Sequence, residues 1–276
     1  MAGERAGTAR DVARLVDGVA LRRRCATSTA QRLLAGAGRL SLVAYREEPQ
    51  RELAVLAHGM TDVGAWLVVL GSEGTPTAAE GDEADVRLQI DQFGAQAHVR
   101  VQVASLHALG RVHMLSPDAA HHALTEHALS DELVAAAAAP FARVAMVQSD
   151  SVLVHAREDV EKLPWDQVAQ PGAWPLGIEE WSALDTAAAL APEVVARLME
   201  ELAHGVRRGI LGRTLPAPRE LDGSVEQMLL DVDAEGCTWL VREGDQVRAV
   251  LIAFDQPVTD AAGFEAALRA WCVQVA

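Results

Sequence analysis

The chain has 276 residues, 50% hydrophobic and 23% charged, which is enough for one large or two modest domains and is globular rather than disordered in composition. Its 39 carboxylates against 24 cations give a formal charge of -15, which opposes nonspecific binding to nucleic acid or to an anionic membrane. Cys25, Cys237 and Cys272 are odd in number, widely spaced and outside any CxxC or Cys/His pattern, so neither a disulfide framework nor a structural zinc site is indicated and a reducing, cytoplasmic setting is expected.

Charges at Glu4, Arg5, Arg10 and Asp11 precede any apolar run, and no stretch approaches the roughly 18 apolar residues that span a bilayer. Val12, Leu15, Val16 and Val19 at helical spacing predict a helix from Ala9 to Arg24. Ser28 followed by Gln31 reads as a capping box that opens a second helix through Leu34, ended by Gly36 and Gly38. Leu40 to Arg46, Leu53 to Met60 and Ala65 to Leu70 then read as a meander of short antiparallel strands. Gly71 to Asp85, rich in Gly, Glu, Thr and Pro, reads as an exposed loop or a lid.

Val86 to Asp91, Ala97 to Leu106 and Arg111 to Leu115 form three more predicted strands, the middle one alternating Val99, Val101 and Val103 with His98, Arg100 and Gln102. Ser116 and Pro117 start an Ala-rich helical stretch that runs to Ala139 and breaks near Ser130, before a strand region from Ala142 to His155. Six or seven short strands predict a small closed or half-closed barrel, because closure removes exposed edges. Four prolines and Trp165, Trp174 and Trp181 between Pro164 and Pro192 predict an irregular connector packed through its rings. A helix from Pro192 to Leu211, strands at Val225 to Val232, Thr238 to Arg242 and Val247 to Phe254, and a helix from Asp260 to Val273 follow. The expected division is 1–163, a barrel with N-terminal helices; 164–191, the connector; and 192–276, a small α-β-β-β-α domain, an α+β fold overall.

The run from Asp85 to Asp91, then Ala97 to Val103 and Leu109-Gly110-Arg111, resembles the middle strands of the split-barrel, flavin-reductase-like proteins of the HugZ type. Asp231-Val232-Asp233-Ala234-Glu235-Gly236, with Val247 to Phe254 and the closing helix, resembles the small α/β domain that follows the barrel there. The resemblance implies haem, flavin or tetrapyrrole-related ligands and a homodimer with the barrels packed together. Two departures weigh against haem degradation: the helix opening the second domain carries one histidine, His204, and no histidine-bearing tail follows the last helix.

A cofactor cleft lined by His98, Arg100 and Arg111 is one reading, with Arg100 holding a phosphate or propionate through paired charge-assisted hydrogen bonds and histidine serving as an axial donor. The competing reading of His98 and Arg100 is a solvated barrel face or a dimer interface. His121, His122, Glu126 and His127 read as a water-facing helix surface rather than a metal site, for want of a third ligand. His58 reads as a strand-end cap, with a barrel-rim cleft as the other option. Asp231, Asp233 and Glu235 read as an acidic turn, since the rest of a calcium loop is lacking. No GxSxG, GxGxxG or Walker motif is present. Two functions stay open: a binding or regulatory module on a barrel that has lost its cofactor, presenting the Trp-containing connector and second domain to a protein partner, or a haem- or FMN-binding protein with redox or haem-degrading activity.

Overall fold

The computed structural model describes residues 2–71, 83–94, 101–156, 159–217, 221 and 226–273. The chain opens with a single long helix, α1 (Ala2–Leu34), where two were expected. Its buried stripe of Leu21, Cys25, Ala26, Thr29, Ala30, Leu33 and Leu34 continues past Ser28 at helical spacing, so packing holds the helix through the predicted cap. Thr27 donates its hydroxyl back to the Arg23 carbonyl at 2.9 Å, the bond a hydroxyl makes when it stays inside a helix. Gly38, at φ 75°, lets the chain turn into the first strand, and a Cβ there would lie 2.7 Å from the Asp91 carbonyl oxygen.

The first sheet contains β1 (Arg39–Ala44), β2 (Arg51–Leu53), β3 (Val55–Met60), β4 (Trp66–Leu70), β5 (Glu83–Phe93), β6 (Gln102–Met114), then, after helices α2 (Pro117–Glu126) and α3 (Asp131–Ala137), β7 (Arg143–Ser149), β8 (Ser151–Ala156) and β9 (Asp159–Pro164). Its path is β2-β1-β5-β6-β7-β4-β3, antiparallel throughout. β2 and β3 are consecutive in the chain and meet at Ala54, so the two ends of the path are one bent strand and the sheet closes on itself. The arrangement is the expected barrel, but its first strands are not a simple meander, since β5 pairs beside β1 and β7 beside β4. Leu42, Leu53, Trp66, Val68, Leu88, Ile90 and Leu106 fill its interior, and α1 plugs one end with Leu33 and Leu34. Ser116 caps α2 as the sequence predicts, accepting from the Ala119 amide, and the expected break near Ser130 is the N-cap of α3, where Ser130 accepts from the Leu133 amide.

One strand, β6, runs where two were expected. It pairs with β8 from Ala104 to His107 and with β7 from Gly110 to Met114, changing partner without breaking. Gly110 permits the change: a Cβ there would lie 2.6 Å from the Gln148 carbonyl oxygen. The predicted loop after Gly71 falls largely on residues outside those described, and β5 begins earlier than predicted, at Glu83.

After β9 come α4 (Trp165–Val168), α5 (Ile178–Ala188) and α6 (Pro192–Ala203), so the stretch expected to be irregular contains a three-turn helix. α6 stops well before Leu211 because Gly205, at φ 68°, ends it: the Gly205 amide donates to the Leu202 carbonyl and the Val206 amide to Glu201. The released residues form β10 (Gly209–Pro216), a fourth strand beside the three expected, β11 (Gln227–Asp233), β12 (Gly236–Glu243) and β13 (Gln246–Ala253), in the order β10-β13-β12-β11 before the last helix, α7 (Ala261–Val273). One face of this second sheet packs on α5, α6 and α7 through Leu198, Val232, Trp239, Ile252, Phe264 and Trp271. The other face meets α1 at Ile210, Leu251 and Ala253, and the barrel near Val103.

Replacing Gly110 by Ala should cost about 1–3 kcal/mol, the usual price of forcing atoms into packed structure. Urea denaturation measures it; an unchanged midpoint would show that β6 and β7 are free to spread there.

Candidate functional site

Between β6 and β8 on the barrel side and the second sheet on the other lies a cleft of about 370 Å³. Its walls are mainly aliphatic: Val101, Val103, Leu230, Leu240, Val247 and Ala249. Gln102, Ser105, Thr238 and His155 bring the polar groups. Alternation along antiparallel strands puts Ser105 opposite His155, and His107 opposite Leu153, all on the outer face of the barrel sheet. The rings of His107 and His155 meet edge to face with centroids 5.1 Å apart. Nε2 of His107 shares a hydrogen bond of 3.1 Å with the Ser105 hydroxyl. Partial burial, and then the neighbouring His155, lower the pKa of His107 against the opposing pull of Asp91, which keeps this imidazole neutral at neutral pH.

Beside the cleft sits a buried charge cluster. Leu230 lines the cleft and, because β11 bulges there, the next residue, Asp231, lies on the same side of the second sheet, paired with the cleft-lining Thr238. Asp231 accepts from Nη1 of Arg32 at 3.0 and 3.1 Å, Nη2 of Arg32 donates to Glu180 at 2.8 Å, and Nε donates to the Pro175 carbonyl at 3.2 Å. Gln92 of β5 donates to both Glu180 and Asp231, at 3.3 and 3.2 Å. The guanidinium is fully buried. Burial opposes its charge, but Asp231, Glu180 and Asp233 together outweigh burial and raise its pKa. Burial also raises Glu180, with Arg32 opposing and Asp231 reinforcing the rise. Asp233 accepts from the amides of Glu235 and Gly236 and so shapes the β11–β12 turn, while Glu235 accepts from Nε of Arg24. The Asp231, Asp233 and Glu235 set is thus the end of β11 and an acidic turn between strands, as expected, and it is buried and docked on α1.

The sequence-predicted site residues are dispersed. His98 and Arg100 lie outside the described residues. Arg111 is exposed near the far end of β6, ten positions beyond Val101, or roughly 33 Å along a strand. There it faces Glu83 at 3.4 Å and Asp85 at 3.7 Å, over a separate cleft of about 530 Å³ that also includes Tyr45, His113 and Trp165. His58 is a core residue: its Nε2 donates to the Leu33 carbonyl at 2.8 Å, its ring meets the edge of Trp66, and burial lowers its pKa despite the Leu33 and Ala37 carbonyl contacts. His127 donates to Asp62, and among the described residues no group of three His, Cys, Asp or Glu is placed to hold a metal ion. Trp165 packs on Trp66 and Trp174 enters the second core, whereas Trp181 is exposed. The residues missed were Arg32, Gln92, Glu180, His107 and His155. Arg32 had a readable signal, an arginine on an otherwise apolar helix stripe in a chain with an acidic strand end to receive it.

No protein-family model matches the chain, and no curated protein matches it. Among solved structures, a heme binding protein from Mycobacterium smegmatis is similar over 90% of this chain and 96% of its own, with a TM-score of 0.52 at 14% identity. The fold is a split barrel with a small α/β unit. A protein of unknown function from Agrobacterium tumefaciens strain C58 aligns over 89% of this chain and 94% of its own at 14% identity, with a TM-score of 0.34, too low to bear on the fold. Among the described residues, no helix is long and apolar enough to cross a membrane.

Arg32→Met should cost about 3–5 kcal/mol in urea denaturation, because it strands Asp231 and Glu180 without a counter-ion. Adding Asp231→Asn and Glu180→Gln should return part of that loss. The sign for Glu180 alone follows from its raised pKa: the folded state holds the proton more tightly, so the ionised carboxylate costs stability at pH 8 and that cost fades as pH falls through the folded pKa. The stability of Glu180→Gln relative to the unsubstituted chain should therefore be greater at pH 8 than at pH 5, and the opposite trend would contradict this assignment.

Proposed function

We propose that the chain is a cytoplasmic binding protein of the HugZ-like, split-barrel kind that holds a planar, largely apolar ligand with anionic edges between a barrel unit, residues 1–163, and a small unit, residues 192–276, joined by 164–191. The observation that carries this reading is the chemistry of the cleft wall. It is aliphatic on both sides and, among the described lining residues, includes no carboxylate, thiol, lysine or arginine. Such a wall shelters a ligand, and its one hydroxyl-imidazole pair, Ser105 with His107, has no carboxylate in the lining to orient the histidine, which favours binding over turnover by the protein's own groups.

Haem is the first ligand to test, because a solved structure with this fold is that of a heme binding protein and because the donor set fits: aliphatic walls for porphyrin faces and a neutral-type nitrogen donor for iron. FMN is the second. Bound haem would supply a redox-active iron, and haem degradation or other redox turnover is the alternative to simple binding. His98 and Arg100, which immediately precede Val101, stay in this reading as donors to the anionic edges, and Arg111 joins them only across a second copy. Leu109, Leu153 and Val160, exposed on the outer face of β6, β8 and β9, are the surface we assign to a homodimer through the barrel. Exposed Ile178 and Trp181 on α5 favour a second reading, an interaction module with a protein partner.

Titration of the purified protein with haem and with FMN, followed by absorbance, tests the proposal. A saturable Soret or flavin shift at micromolar ligand is expected, and bleaching of bound haem on adding ascorbate and oxygen would establish turnover. Flat titrations with both ligands would overturn the cofactor-cleft reading in favour of the interaction module.

A further inference from the structure

We infer that His155 is the residue that binds the iron of a haem-type ligand in this cleft, with His107 as its positioning residue; the inference rests on the haem reading above. Among the described residues lining the cleft, His155 is the one imidazole, and no Cys, Met, Tyr or Lys competes with it as an iron donor. Neither of its ring nitrogens takes a hydrogen bond among the described residues, so a lone pair is available, and the residue is exposed while lining the cleft. His107 is committed elsewhere, its Nε2 held by Ser105.

The backbone of His155 is fixed on both sides, by pairing with Ser105 of β6 and with Val160 of β9. Its ring is fixed by the edge-to-face contact with His107, at an interplanar angle of 77°. A donor on a paired strand, its ring braced by a second side chain that is itself hydrogen-bonded, loses little conformational freedom on binding metal. The bond would be dative: an imidazole nitrogen of His155 would give its lone pair to the iron, with no change of oxidation state.

The test titrates iron protoporphyrin IX and metal-free protoporphyrin IX into the full chain and into His155→Ala and His107→Gln, reading the Soret band for the first porphyrin and fluorescence for the second. His155→Ala should bind metal-free porphyrin as the unsubstituted chain does, yet lose about 100-fold in affinity for the iron form together with the imidazole-ligated spectrum, and His107→Gln should lose about tenfold for the iron form alone. Added free imidazole should restore the ligated spectrum to His155→Ala. If His155→Ala keeps both the affinity and the spectrum of the iron form, the assignment of His155 is wrong while the cleft reading stands. If the unsubstituted chain binds neither porphyrin, the cleft reading fails and takes the assignment with it.

Discussion

A guanidinium with no access to water must be neutralised where it lies, and most of the tertiary arrangement follows from where Arg32 lies. It leaves α1 from the last turn of the helix, and its partners come from β11 and α5, with Gln92 of β5 bridging the two carboxylates. Taking an ion from water costs several kcal/mol, and close Coulomb partners roughly offset that, so an apolar replacement of the whole cluster could be equally stable. We read its role as registry. The apolar stripe of α1 would accept the second sheet in several rotations, whereas the forked contact of Arg32 with Asp231 accepts one. Arg24 with Glu235, and Arg22 with Asp159, extend the same constraint along the helix toward the β11–β12 turn and the β8–β9 hairpin.

That registry sets the cleft. A bulge at Leu230 brings it and Asp231 to the side of the second sheet that faces α1 and the barrel, so holding Asp231 in the cluster holds Leu230 in the cleft wall. On the barrel side, Gly94 performs the matching function: a Cβ there would lie 3.3 Å from Cδ2 of Leu230, so a glycine lets β5 and β11 approach. β6 connects this region to the rest of the barrel. Its first half pairs with β8 and carries Ser105 to the cleft and His107 beside it, while its second half pairs with β7 inside the closed barrel. The long strand is thus both a barrel stave and a cleft wall.

Much of the fold was legible because period-two and period-3.6 patterns report which residues face a core. The strands around Leu42, Val68, Leu88 and Val147 and β11 to β13 were readable in this way, and the cap at Ser116 from its Ser-Pro pair. The failures have specific causes. Ser28 offered a cap that the buried stripe overrode, the expected gap between Leu106 and Arg111 is a continuous strand that changes partner at Gly110, and the Schellman-type end at Gly205 was passed over, hiding β10. Closure through Ala54 depends on pairing between strands far apart in sequence, which no local pattern carries. The candidate site was less legible still. His155 and His107 belong together only because β8 returns beside β6, and Arg32 was set aside as one of many arginines in a chain with a single lysine, Lys162.

The central claim is that the ligand sits between the two sheets and not over the Arg111 cleft at the other end of β6. Hydrogen–deuterium exchange with and without bound iron protoporphyrin IX tests it most directly. The account predicts added protection in β6 from Gln102 to His107, in β8 and in β12 and β13, with none in β6 beyond Gly110. Protection centred on Arg111, His113 and the β7–β8 turn, with the first half of β6 unchanged, would contradict it.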